Sequence, residues 1–137
     1  MQRWLLCSVA LVGIAALPAS AATVDGLKIH SSSTGHGSKT VIFVHGWTCD
    51  DTSWSAQVPV LSKTYRVVTL DLPGHGRSDS PGDGKFSMDL FARAVEAVRR
   101  DSNADKVVLV GHSMGTPVIR QQEFNQLLTT FLNNINY

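Results

Sequence analysis

Lys106-Val107-Val108-Leu109-Val110-Gly111-His112-Ser113-Met114-Gly115 is the stretch that decides the architecture of this chain. Its first half is a short β-branched apolar run with no polar alternation, which reads as a strand buried on both faces. The run passes without a gap into Gly-x-Ser-x-Gly, and a helix is expected to follow. Pro117 falls in the first turn of that helix, where a missing N–H does no harm. A serine at the tip of so sharp a strand-to-helix turn stands clear of the sheet in a strained conformation. The residues two before and two after it must be nearly free of side chain for strand and helix to approach, hence Gly111 and Gly115. The helix N-terminus adds a positive dipole end, and the Met114 N–H can point at a developing oxyanion.

Working outward, two more runs have the same buried character: Thr40-Val41-Ile42-Phe43-Val44-His45 and Arg66-Val67-Val68-Thr69-Leu70-Asp71. Before them, Thr23 to His30 shows a weak strand-like alternation, followed by a Ser/Gly-rich turn through Ser38. Between the two runs, Ser53 to Ser62 can be a helix with Trp54, Val58 and Leu61 on one face and Pro59 as an irregularity. A long Gly/Pro loop, Leu72 to Lys85, comes next. Ser87 is the expected N-cap of a helix that runs to about Asp101, with Asp89 favouring its first turn. Three apolar strands separated by helices argue for an α/β fold with a mostly parallel sheet covered on both faces. Val41–His45, Arg66–Asp71 and Lys106–Val110 are the expected neighbours. No internal repeat is visible.

His45-Gly46-Trp47 ends the first strong strand. In a parallel sheet the carboxyl ends of the strands share one edge, where ligands bind. The Trp47 N–H, just after a glycine at that edge, is therefore expected to be the second oxyanion donor beside Met114. His45, Gly46, Gly111, His112 and Gly115 are the supporting residues.

Taken in order, His45-Gly46-Trp47, Asp71-Leu72-Pro73-Gly74-His75-Gly76-Arg77-Ser78-Asp79 and Gly111-His112-Ser113-Met114-Gly115 resemble the successive signatures of the α/β-hydrolase superfamily. The resemblance covers roughly Leu27 to Arg120. It implies a doubly wound sheet, of which this is the N-terminal half, and a nucleophilic Ser113 acting on an ester or related acyl compound of small size. No cofactor or metal enters that chemistry. Serine at the elbow separates the chain from haloalkane dehalogenases and epoxide hydrolases, which use Asp there. His75 and Asp79 are expected to fix their loop. His45 reads as a structural histidine rather than a base, because this fold takes its triad histidine from after the nucleophile.

That later part is what the sequence lacks. After Ser113 there is one acidic residue, Glu123, and no histidine; His30, His36, His45, His75 and His112 all precede it. Glu123 would stand about 15 Å along the following helix, too far to be the triad acid. From Gln121 to Tyr137 the composition turns to Gln and Asn with no Lys or Arg. A family member would run on into a charged helix and a sixth strand. The stretch from about 121 therefore reads as foreign or divergent sequence, and the alternative function is a truncated, inactive fragment or binding remnant lacking the triad acid and histidine.

At the other end, Arg3, the charge-free run Leu5 to Leu17, Pro18 and Ala19-Ser20-Ala21 make the three parts of a signal peptide, residues 1–21. A run of thirteen is short for a bilayer span, so an exported protein with no stable membrane anchor is expected. Twelve Lys and Arg stand against eleven Asp and Glu, and the leader holds one of the twelve. So even a balance gives no electrostatic footprint for nucleic acid. The mature part keeps only Cys49, which cannot staple the domain. A cysteine nucleophile needs cationic surroundings, and Asp50 and Asp51 supply the opposite.

Overall fold

The computed structural model describes residues 22–119. The expected signal peptide, residues 1–21, and the stretch from about 121, Glu123 included, lie outside the described residues. Two strands, β1 (Ala22–Val24) and β2 (Leu27–Ile29), form an antiparallel hairpin. Asp25 and Gly26 turn it with φ of 50° and 80°, the two-residue loop whose positive φ values match the twist of the flanking strands. The remaining strands are β3 (Ser31–Thr34), β4 (Thr40–Val44), β5 (Arg66–Leu70) and β6 (Val107–Gly111). They form one sheet in the order β3-β5-β4-β6. β4 is parallel to both β5 and β6, as the three apolar runs imply, and β3 is antiparallel on β5.

Two local expectations are corrected. The serines after His30 are not a turn: Ser31–Thr34 is an edge strand, registered Ser31 against Leu70 and Thr34 against Val67. An edge strand with one side open tolerates polar residues that a buried one would not. The single helix expected over Ser53 to Ser62 is instead a 3-10 turn at Asp51–Trp54, then α1 (Val58–Leu61). Pro59 sits in the first turn of α1, where a proline can begin a helix but disfavours continuation from the residues before it. Asp50 caps the 3-10 turn by accepting the Thr52 N–H at 2.9 Å.

α2 (Met88–Asp101) follows its expected bounds. Ser87 Oγ accepts the Leu90 N–H at 3.0 Å, satisfying one of the donors a helix start leaves open. The far end closes on Asn103 at φ 50°, with Asn103 N–H donating to Arg100 O and Ala104 N–H to Arg99 O. This is a paired 5→2 and 6→1 closure in which asparagine takes the left-handed position usually held by glycine. Leu90, Phe91, Ala94, Val95 and Val98 bury one stripe of α2.

The stripe packs with Ile42, Val44, Val68, Leu70 and the hairpin's Ala22, Val24 and Ile29. Alternate sheet residues Val41, Phe43 and Val67 face the other way, toward Trp54, Val58 and Leu61. At about 1.5–3 kcal/mol for each fully buried large side chain, the α2 face holds most of the stabilising area. β4, inside the sheet, is buried at all five positions, whereas β6, expected to be buried on both faces, is buried at none and leaves Val108 58% exposed. Among the described residues β6 pairs only with β4.

Candidate active site

The register of the parallel strands sets Val44 opposite Gly111, so the turns after β4 and β6 leave the sheet side by side. The His112 N–H still donates to Val44 O at 3.1 Å, after which the Gly115 N–H turns back to His112 O at 2.9 Å. Helical backbone follows over residues 115–119. Between them Ser113 is exposed, with φ of 54°. A non-glycine residue in this region carries strain of roughly 1–2 kcal/mol, and the surroundings enforce it. A Cβ on Gly111 would lie 2.6 Å from Gly115 O and from Ile119 Cδ1. One on Gly115 would run into the Val44 carbonyl oxygen. The two glycines are thus sites of backbone contact, and that contact forces the serine to the tip.

The turn after β4 lies against this elbow. A Cβ on Gly46 would come 3.0 Å from Ser113 Cβ and 3.3 Å from His112 Nδ1. Among the described residues no acceptor takes the N–H of Trp47 or of Met114. Met114 packs its side chain on the core, while His112 stands exposed.

His45 is fully buried. Its Nε2 accepts the Leu72 N–H at 2.9 Å and its Nδ1–H donates to Gly46 O at 2.7 Å. The partners fix the tautomer: Leu72 N–H can only donate and a carbonyl can only accept. Burial, outweighing the Gly46 hydrogen bond, holds its pKa below the ordinary histidine value, so the ring is neutral. With both nitrogens engaged, His45 has no lone pair for Ser113.

Sequence reading missed the group beneath this loop. Asp71 is fully buried, yet its carboxylate accepts the Asp51 N–H at 2.7 Å and the Arg77 N–H at 2.9 Å. Arg77 Nη2 also donates to Asp51 Oδ2 at 2.7 Å. One carboxylate thus ties the loop after β4 to the loop after β5. The signal was an aspartate closing an otherwise apolar strand, a position at which a buried charge must find donors. Beyond it the loop is knitted to the hairpin: Ser78 Oγ accepts the His30 N–H, and Asp79 exchanges bonds with the Lys28 backbone. His75 Nδ1 bonds Pro73 O at 3.0 Å, in keeping with its expected loop-fixing place. Its ring stands 5.3 Å from Trp47, which is 55% exposed and edge-on to Phe86. An aromatic shelf therefore borders the turn after β4.

A cleft of about 350 Å³ opens elsewhere, among Asp25, Leu27, Asp83, Lys85 and Arg93. It shares no residue with the elbow or the His45-Gly46-Trp47 turn. Among the described residues no group of three or more His, Cys, Asp or Glu could hold a metal ion, and no helix is long and apolar enough to cross a membrane.

This arrangement of parallel strands, glycine-flanked elbow and facing turn defines a class. The profile of the alpha/beta hydrolase fold matches residues 39–121, and the chain belongs to that family. It is 37% identical over 100 residues to the dihydrolipoyllysine-residue acetyltransferase component of the acetoin cleaving system of Cupriavidus necator, covering 73% of this chain and 26% of that one. Over 93 residues it is 38% identical to the 2-hydroxy-6-oxononadienedioate/2-hydroxy-6-oxononatrienedioate hydrolase of Escherichia coli, covering 65% and 32%. A solved structure, Est816, described as an N-acyl homoserine lactone degrading enzyme, superposes with a TM-score of 0.72 at 32% identity, covering 76% and 39%. The chain thus spans between a quarter and two fifths of the length of these relatives.

Proposed function

We propose that this sequence is the nucleophile-bearing part of an exported serine hydrolase acting on an ester or lactone-like acyl substrate. One observation carries the reading: Ser113 is exposed at φ 54° between β6 and a helix, with the Gly46 backbone against it. In this reading Ser113 Oγ attacks the acyl carbonyl carbon, and the carbonyl electron pair moves onto oxygen. The N–H groups of Trp47 and Met114, unused among the described residues, receive that oxyanion. Collapse breaks the acyl C–O bond, the leaving oxygen takes up the proton that a base has drawn from Ser113 Oγ, and the acyl-Ser113 that remains is hydrolysed by water. The relative named as a hydrolase supports the reaction type, and Est816, described as a lactone-degrading enzyme, supports the substrate class.

A proton acceptor for Ser113 Oγ is the missing part. The 137 residues hold no histidine after Ser113, and both nitrogens of His45 are occupied. Without a base, Ser113 stays a neutral alcohol, and oxyanion donors alone leave at most about 10³–10⁴ over water. The 137-residue chain is therefore expected neither to hydrolyse p-nitrophenyl esters appreciably nor to label with a fluorophosphonate. A reading frame downstream of codon 120 that encodes a charged helix, a strand, and later an acid and a histidine would supply the rest. The chain extended through that frame should label, and Ser113→Ala should abolish the label. Rapid, Ser113-dependent labelling of the 137-residue chain would overturn the reading. Export is tested by the mature N-terminus, expected at Ala22 by mass spectrometry; an intact Met1 on secreted protein would sink it.

A further inference from the structure

A backbone N–H is one half of a peptide group, and whatever holds the other half decides where it points. The Trp47 N–H shares its planar, trans peptide with the Gly46 carbonyl, so the two point in opposite directions. That carbonyl is doubly anchored, by His45 Nδ1–H at 2.7 Å and by the Cys49 N–H at 3.3 Å. The imidazole that makes the shorter bond cannot turn, because it is fully buried and its Nε2 is held by the Leu72 N–H. Leu72 in turn follows Asp71, whose carboxylate binds both flanking loops. The next residue, Thr48, is kept at φ 60°, a conformation a free threonine seldom adopts, so the turn is imposed from outside.

We propose that His45 is a positioning residue: its Nδ1–H tautomer, set by the Leu72 N–H, clamps the Gly46 carbonyl inward and thereby turns the Trp47 N–H outward to the face where Ser113 stands. The proposal deepens the assignment of Trp47 as an oxyanion donor and rests on it. It also accounts for a histidine in a fully buried place: only a group that accepts on one side and donates on the other joins Leu72 to Gly46.

The test reads peptide orientation rather than catalysis, so an inert Ser113 would leave its outcome unaffected. In the isotopically labelled full chain, nitrogen shifts should report His45 as the neutral Nδ1–H tautomer, and the residual dipolar coupling of the Trp47 N–H should fit the orientation described. His45→Phe keeps the ring and removes both bonds. It should change the Trp47 coupling and speed Leu72 amide exchange roughly tenfold or more, the loss of a buried hydrogen bond. Couplings within Thr40–Val44 should stay as they were. An Nε2–H tautomer in the natural chain, or a Trp47 coupling unchanged in the variant, overturns the proposal.

Should His45→Phe not fold, acid titration of the natural chain decides. Protonation puts a second donor against the Leu72 N–H, so Leu72 and Trp47 amide shifts should move together at the His45 midpoint. His75 on the loop after β5, Asp71 at the end of β5 and Asp50 on the ring's own loop also face it. A Trp47 shift that follows any of these instead overturns the proposal as well.

Discussion

Two glycine-rich stretches of this chain look alike as text and differ in every physical respect. In Gly111-His112-Ser113-Met114-Gly115 each glycine is in backbone contact: with Gly115 O for the first, with Val44 O for the second. In Pro81-Gly82-Asp83-Gly84-Lys85 neither glycine would bring a Cβ within 4 Å of anything. The first stretch is a crossing point where strand, helix and neighbouring strand share a space that admits only hydrogen atoms. The second is a solvated link closed by its own local bonds, such as Lys85 N–H to Asp83 Oδ1. Glycine is required here only where another part of the molecule already fills the place of its side chain or the backbone takes a positive φ. The loop after β5 holds both kinds, since Gly76, at φ 50°, lies against the buried Asp71 carboxylate.

The contrast can be broken by substitution. Gly115→Ala should cost most, about 3 kcal/mol or more, because the Val44 and His45 backbone already fills the place of the methyl. Urea unfolding should show a large fall in midpoint, and an unchanged midpoint would mean that the helix does not rest on β4. Gly76→Ala comes next at about 2 kcal/mol, from left-handed strain plus a methyl group against Asp71. Ser87→Ala, at the far end of the open link, should cost about 1 kcal/mol through the lost cap on Leu90. Gly82→Ala should have the smallest effect and the opposite sign, stabilising by about 0.4–1 kcal/mol through a less flexible unfolded chain. Destabilisation there would show that the link is packed after all.

Acid also separates the two regions, because among the described residues the one fully buried histidine, His45, lies in the turn beside the elbow. His45 has a folded-state pKa below its ordinary value of 6.5. The unfolded chain therefore binds the proton more readily, and the stabilisation is complete above 6.5 and declines as pH falls from there toward the lowered value. In His45→Phe that part of the acid slope should vanish, as measured by unfolding at a series of pH values. A slope unchanged by the substitution would assign it to other groups.

What the sequence disclosed and what it withheld follow one division. The apolar runs, the Ser87 cap and the Gly-x-Ser-x-Gly turn are local signals, each completed within a few residues, and each forms its element in place, although β6 lacks the two-sided burial its apolar run suggested. Ser31–Thr34 gave no such signal, because an edge strand half open to water needs no apolar side chains and owes its conformation to β5. Asp71 looked like the end of a strand; that its carboxylate joins Asp51 and Arg77 depends on loops from different parts of the chain. His45 was legible as a loop-fixing residue, but its tautomer was not, since Leu72 is distant in sequence.

The pairing of Val44 with Gly111 also has a consequence in time. The two residues lie roughly seventy positions apart, so joining them closes the long kind of loop that is slow to form. β4 can meet β5 much earlier, across a far shorter connection. When pairing follows this order, β4 spends an interval as the outer edge of a growing sheet, its hydrogen-bonding groups open on the side β6 will occupy. An exposed apolar edge of that sort recruits strands from other chains. Until β6 arrives, the same row of amides that will align the elbow is open to the wrong neighbour.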